Sequence, residues 1–264
     1  MLRYDFMQYA FVAAIFIAII IPLMGTVIVL RRLSTIGEAL SHTSLAGVAV
    51  GLVFGFNPTL TAAVLSILAS LAINVVRRYY PKYAEISVNI VLSAGIGLAA
   101  ILSGFAGNSA NFNSYLFGSI LVLSKEDLLI VAVLSVLVIG ASVLLYRPLF
   151  SITFDEENAR LSGLSVNAIN TVFSILTAVT VSVAAGTVGA LIVSSFIVLP
   201  VACSLLVAKS YKSCILYSIA FGGVFSLGGL IASFYLDLKP GGTMTLTGVA
   251  VLLIMLLTVG KKNR

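Results

Sequence analysis

Glu38 and His42 are the two residues of this chain whose types and spacing suit metal binding. They lie four positions apart in the polar run RRLSTIGEALSHTSLAG at residues 31–47, and His42 is the only histidine of the chain. On a helix, residues four apart share one face. Carboxylate and imidazole are both good ligands for zinc and manganese. The spacing therefore predicts that the pair points at one divalent ion.

The elements that must position this pair are membrane-spanning helices. Of the 264 residues, 60% are hydrophobic and 9% are charged, with a mean hydropathy of +1.17, whereas a soluble domain carries roughly 25% charged residues. Apolar runs long enough to cross a hydrocarbon core of about 30 Å recur from end to end, without the alternation of a β-barrel. We expect an all-α polytopic membrane protein in which residues 1–264 form a single domain within the lipid bilayer.

The apolar runs predict nine transmembrane helices. Segment 113–123 is apolar but too short to cross as a straight helix. If it is re-entrant or interfacial, twelve of the fifteen Lys and Arg residues fall on the inside; if it crosses, only seven do. The positive-inside rule favours the first topology, with the N-terminus outside and the C-terminus in the cytoplasm. The predicted spans are 6–30, 36–56, 59–76, 86–104, 127–146, 166–186, 188–207, 213–236 and 243–260.

Two interpretations of the Glu38–His42 pair stay open from the residues alone. Near a helix N-terminus, Glu38 also interacts favourably with the helix dipole, and His42 can pack as a neutral polar residue. However, a rise of about 1.5 Å per residue from an interface near Leu33 carries His42 well into the bilayer, where an unpaired ionisable group is costly. Two ligands form a weak site, which suits an ion that must bind and then leave. A symmetric dimer with the pair on its axis would offer four ligands.

Three other features carry structural predictions. Gly47, Gly51 and Gly55 continue a stripe of small residues through Ala39 and Thr43, which predicts close helix packing beside the pair. Segment 154–164 is polar and helix-prone, with Gly163 as its expected C-cap. Pro200 is expected to bend or end its span and to precede a short cytoplasmic helix up to residue 212. We interpret Cys203 and Cys214 as free thiols, because they lack metal-binding or redox spacing.

Several function classes are excluded by missing motifs. The chain has no GxxxxGK[ST] phosphate loop, no HExxH and no GxSxG. The sequence has no pattern of interleaved basic and aromatic residues, so we do not expect nucleic acid as a partner. We therefore expect a transport component without catalysis of its own and without a stably bound cofactor.

Four stretches carry a resemblance to the permease subunits of bacterial ABC importers for zinc and manganese. LRRLSTIGEALSH at 30–42 is similar to the family signature, a basic pair followed by Gly-Asp-Ala-Leu-Ser-His, with Glu38 where Asp is usual. The other stretches that match are SYLFG at 114–118 with EDL at 126–128, FDEENARLSGL at 154–164, and VGALIVSSFIVLP at 188–200. The SYLFG run looks more like the zinc branch of the family than the manganese branch.

The resemblance implies an ATP-driven zinc importer of the plasma membrane, with manganese or iron as alternatives. It implies that two permeases form the path and that Glu38 and His42 lie on it. Two separate ATPases would dock near 200–212 in the cytoplasm, and an extracytoplasmic protein would deliver the metal. A different class also stays open. In a stand-alone secondary transporter, Glu38 and His42 would instead relay protons.

Overall fold

The structure of the chain is a computed structural model that describes residues 5–80, 83–105, 109–118 and 125–259. Twelve α-helices follow one another in these ranges, and no strand occurs within them. They are α1 (Asp5–Leu30), α2 (Thr35–Phe54), α3 (Pro58–Tyr79), α4 (Ala84–Ser103), α5 (Ser109–Phe117), α6 (Lys125–Leu144), α7 (Tyr146–Phe154), α8 (Glu156–Leu161), α9 (Val166–Val188), α10 (Ala190–Leu205), α11 (Tyr211–Leu236) and α12 (Pro240–Val259).

Eight of these helices are long and apolar enough to cross a membrane, namely α1, α2, α3, α4, α6, α9, α11 and α12. The predicted span 188–207 corresponds to α10, which has only 16 residues. At about 1.5 Å per residue it falls short of the roughly 30 Å hydrocarbon core. The count of nine full-length spans is therefore not confirmed: the described chain has eight, with one shorter apolar helix.

Helix α1 lies at the centre of the bundle and packs against α6, α9, α10 and α11. Its sequence is apolar on all sides, as expected for a helix without a solvent-facing surface. Ile17, Ile20 and Met24 are fully buried along it. Pro22 interrupts its hydrogen bonding, and the Thr26 hydroxyl donates to the Pro22 carbonyl over 2.8 Å. By contrast, α4, α6 and α12 lie at the periphery and expose many of their apolar side chains.

The predicted stripe of small residues packs α2 closely against α3 and α4. A Cβ atom on Gly47 would lie 2.6 Å from the Ala62 Cα, so only glycine allows this approach to α3. On the other side, Thr43 contacts Gly95 of α4. Gly55 has a different role from the one predicted. It is the left-handed C-cap of α2, with a φ of 72°, and nothing packs on it.

The predictions for the region after Pro200 are partly wrong. Helix α10 continues through Pro200 to Leu205, and residues 206–210 form a turn rather than a short surface helix. Five residues are too few for a separate helix. The Ser210 hydroxyl accepts a hydrogen bond from the backbone of Ser213, and this capping box starts α11 immediately.

Two short helices, α7 and α8, follow α6 at the end of the bundle that carries Arg31 and Arg77, hereafter the basic end. Helix α8 lies in the predicted polar segment, and Gly163 is left-handed (φ 84°) just after it, as expected for its cap. Helix α7 was not predicted. Its aromatic residues Phe150 and Phe154 pack on Tyr211, so α7 and the start of α11 form one continuous surface.

Helix α5 includes part of the segment predicted to be re-entrant or interfacial. It has nine residues, too few to cross a membrane, and it packs against α2, α9 and α10. Residues 119–123 of the predicted segment lie outside the described residues. Both cysteines are free, as predicted, and both are buried.

Candidate metal site

The candidate metal site consists of Glu38 and His42 on the first two turns of α2. The turn before α2 is tight: Arg32 has a φ of 57°, and the Leu33 amide donates to the Ile28 carbonyl over 2.8 Å. Helix α2 then begins at Thr35, so Glu38 falls in its first turn, where the helix dipole favours a carboxylate. His42 follows one turn later on the same face.

Burial along α2 shows which face the pair occupies. The residues that flank Glu38, namely Gly37 and Ala39, are buried against the other helices. Gly37 sits against the side chain of Ile197 in α10. Glu38 itself is exposed and His42 is half-buried. The pair therefore lies on the face of α2 that the described helices of the same chain leave partly uncovered.

Neither side chain has a hydrogen bond or an ion pair within the described part of the chain. Side chains one helical turn apart have Cβ atoms about 5–6 Å apart, close enough to bind one ion together. No group of three or more metal-binding side chains occurs among the described residues. One chain thus contributes two ligands, fewer than the four of a closed tetrahedral zinc site.

A second group of polar residues connects the start of α2 to the short helices of the basic end. Arg31, directly after α1, donates to the Asn170 side-chain oxygen of α9 over 2.8 Å and to the Glu156 carboxylate of α8 over 3.2 Å. Only 9% of its side chain is exposed. Burial lowers the pKa of Arg31, and the charge of Glu156 opposes that shift.

Sequence reasoning explained Arg31 only as an inside-facing charge and assigned no role to Asn170 or Glu156. The partners are 139 and 125 residues away from Arg31. No periodicity or local spacing signals contacts at such separations. The sole local clue is that the segment 154–164 places acidic residues beside an otherwise apolar chain.

The profile of the ABC 3 transport family matches residues 3–259, almost the whole chain. The chain belongs to this family. It is 36% identical over 256 residues to "Probable metal transport system membrane protein" of Treponema pallidum, covering 97% of this chain and 96% of that protein. It is 30% identical to "Manganese transport system membrane protein MntC" of Listeria monocytogenes, covering 100% of this chain and 94% of MntC.

A solved structure supports the fold of this ABC 3 chain. "PsaBC from Streptococcus pneumoniae in complex with Fab" superposes with a TM-score of 0.87 and 28% sequence identity, covering 96% of this chain and 92% of that chain. The chain is thus an ABC-type metal permease with several membrane-spanning helices. Its relatives are transport components, which is consistent with a subunit that is not an enzyme.

Proposed function

We propose that this permease forms the membrane path of an ATP-driven importer of a divalent transition metal, with Glu38 and His42 as ligands on that path. The observation that carries the proposal is the placement of the pair. An acid and the only histidine lie one turn apart on a partly uncovered face of α2, with no partner among the described residues. A permanently bound ion needs a more complete set of ligands. Two ligands bind weakly, which suits a transported ion because it must leave again.

A homodimer completes the site in this proposal. Two copies of α2 facing each other would offer two imidazoles and two carboxylates around one ion, which matches the coordination number of zinc and suits manganese as well. The partly uncovered face supports this arrangement, since Glu38 is exposed in a single chain. No stable cofactor is needed, because the ion is the cargo.

The proposed orientation of the chain in the membrane rests on the charges of the basic end. Arg31, Arg77 and Arg160 lie there, and positive charge marks the cytoplasmic side. In this orientation the N-terminus is outside, the C-terminus is cytoplasmic, and the metal passes His42 before Glu38 on its way in. An extracytoplasmic metal-binding protein would deliver the ion at the opposite end.

The ATPase would dock on a surface formed by α7, α8 and the 205–212 connection, hereafter the docking surface. The predicted site near 200–212 is part of this surface, since Tyr211 packs against α7. Two apolar side chains protrude from it beside acidic residues: Phe154 is 61% exposed and Leu161 is 81% exposed. Exposed apolar groups with a charged rim are typical of a protein interface.

The cargo of this permease is Mn²⁺ or Zn²⁺ in our proposal. Relatives such as MntC of Listeria monocytogenes are named for manganese transport, while the SYLFG run at 114–118 resembles the zinc branch. Carboxylate and imidazole ligands accept both ions. The deciding experiment is uptake of radiolabelled manganese by vesicles with the ATPase and binding protein, in competition with unlabelled zinc.

The same vesicles test the transporter class. We expect metal uptake to require both the ATPase subunit and ATP. Uptake that persists without the ATPase would contradict the proposal and favour a proton-coupled secondary transporter.

A further inference from the structure

A second polar site lies at the basic end, apart from the Glu38–His42 pair. A cleft of about 500 Å³ between α3, α8 and α9 is lined by Asn74, Arg77, Glu156, Arg160 and Asn170, among others. A narrower cavity that shares Asn74, Arg77 and Asn170 extends it inward to Arg31. The two together form one polar space, hereafter the arginine cleft.

The charges around the arginine cleft do not balance. Three guanidinium groups, those of Arg31, Arg77 and Arg160, face it. Glu156 is the one carboxylate among the described residues that line it. That carboxylate already interacts with Arg31 at 3.2 Å and with Arg160 at 3.9 Å. Arg77 has no ion pair in the described ranges, so the cleft retains an excess of two positive charges.

Two observations indicate that the arginine cleft lacks an anionic acceptor. The charge of Arg77 adds to burial in lowering the pKa of Arg31, so the two guanidinium groups repel each other across the cleft. The side-chain amide nitrogen of Asn74 is completely buried and has no acceptor within the described structure. A buried donor without an acceptor is costly. An anion placed between Arg77 and Asn74 would relieve both conditions.

We infer that the arginine cleft binds a phosphate group, with Arg77 and Asn74 as its principal donors. The planar guanidinium of arginine matches phosphate oxygens in a bidentate manner, and the Asn74 amide supplies a further donor. Such a group has two sources. It is the headgroup of an anionic phospholipid in the adjacent leaflet, where basic residues attract such lipids, or it is free inorganic phosphate from the cytoplasm.

Two binding measurements on the purified permease separate these sources. Calorimetry in detergent measures the affinity for inorganic phosphate. Native mass spectrometry measures retention of phosphatidylglycerol after extraction from vesicles of phosphatidylglycerol and phosphatidylcholine. We expect R77Q and N74A each to weaken binding of the true ligand about tenfold, because each removes a donor to a charged group. N74A leaves the charge unchanged, so it isolates the hydrogen bond.

The control variant is R147Q, which removes an exposed arginine at the same end of the protein but outside the cleft. Loss of phosphate binding in R77Q and N74A identifies the free ion, and loss of lipid alone identifies the headgroup. Equal effects of R147Q and R77Q would overturn the proposal, since binding would then depend on net charge only. It is also overturned if neither ligand binds the wild-type protein.

Discussion

Arg31 and Glu156 form an ion pair of 3.2 Å that joins the turn before α2 to the helix α8 of the docking surface. The same guanidinium donates to Asn170 of α9. Seven residues after Arg31 comes Glu38, the first of the two proposed metal ligands. A single buried side chain thus connects the surface proposed for the ATPase with the helix that carries the proposed metal site.

The first prediction concerns this connection. Glu156→Gln removes the charge that faces Arg31 and should weaken their interaction by about 1 kcal/mol, because the Glu156 side chain is 45% exposed and its charge is screened by solvent. We expect uptake per ATP hydrolysed to fall severalfold while metal binding is retained. The measurement is uptake and ATP hydrolysis in the same vesicles.

Arg160→Gln is the control for the ion pair, because Arg160 contacts Glu156 only at 3.9 Å and is 65% exposed. Exposed pairs of this kind contribute little. If both variants lower uptake per ATP hydrolysed equally, the Arg31–Glu156 pair has no specific role in coupling ATP hydrolysis to transport.

The second prediction concerns the docking surface. Leu161→Glu places a charge on its most exposed apolar side chain and should abolish co-purification of the permease with its ATPase, because a buried unpaired charge opposes association. Leu238→Glu changes an exposed leucine at the opposite end and should leave co-purification intact. An ATPase that still binds Leu161→Glu would place the docking surface elsewhere.

Hydropathy and helical periodicity predicted most of the elements and the candidate site. The Glu38–His42 spacing predicted a shared face, and α2 presents the pair on a face its own chain leaves partly uncovered. The Gly47 packing was also predicted, because small residues four apart form a local pattern. Helix α10 was less predictable. Its apolar run reads as a full span, yet the helix starts only after Gly189, whose φ is 106°.

At the basic end, the structure depends on contacts between residues far apart in the sequence, which local patterns do not predict. Helix α7 was not predicted, because most of it lies between the predicted span 127–146 and the polar segment 154–164, and no local pattern signals that Phe150 packs on Tyr211. Pro200 was expected to bend or end its span; the helix does not end there but continues to Leu205. Membrane helices tolerate proline when neighbouring groups satisfy the freed carbonyl, and no local pattern in a sequence reveals those neighbours.

The third prediction concerns packing of α2 on α3. In Gly47→Ala the added Cβ would lie 2.6 Å from the Ala62 backbone, so the helices must separate, at a cost of about 1–3 kcal/mol. Gly140→Ala in α6 meets nothing within 4 Å and should be neutral or stabilising. Thermal unfolding in detergent compares the two. Equal midpoints would show that the close contact contributes nothing.

The fourth prediction concerns a buried chain of hydroxyl groups. Ser218 of α11 donates to Ser204 of α10 over 2.8 Å and lies 3.5 Å from the Thr26 hydroxyl of α1. Ser218→Ala should destabilise the protein by about 0.6 kcal/mol, typical of a hydrogen bond between membrane helices. Ser226→Ala removes a hydroxyl that bonds only within α11 and should have a smaller effect. The reverse order in thermal unfolding would contradict this assignment.

The fifth prediction tests the central claim, that Glu38 and His42 bind the metal on its path. The measurement is uptake of radiolabelled manganese and zinc by vesicles containing the ATPase and binding protein. His42→Ala and Glu38→Gln should each abolish uptake, because each removes one of the two ligands. Glu38→Asp keeps the carboxylate and should retain most of it. Near wild-type uptake by His42→Ala, in a protein that inserts and assembles normally, would contradict the account.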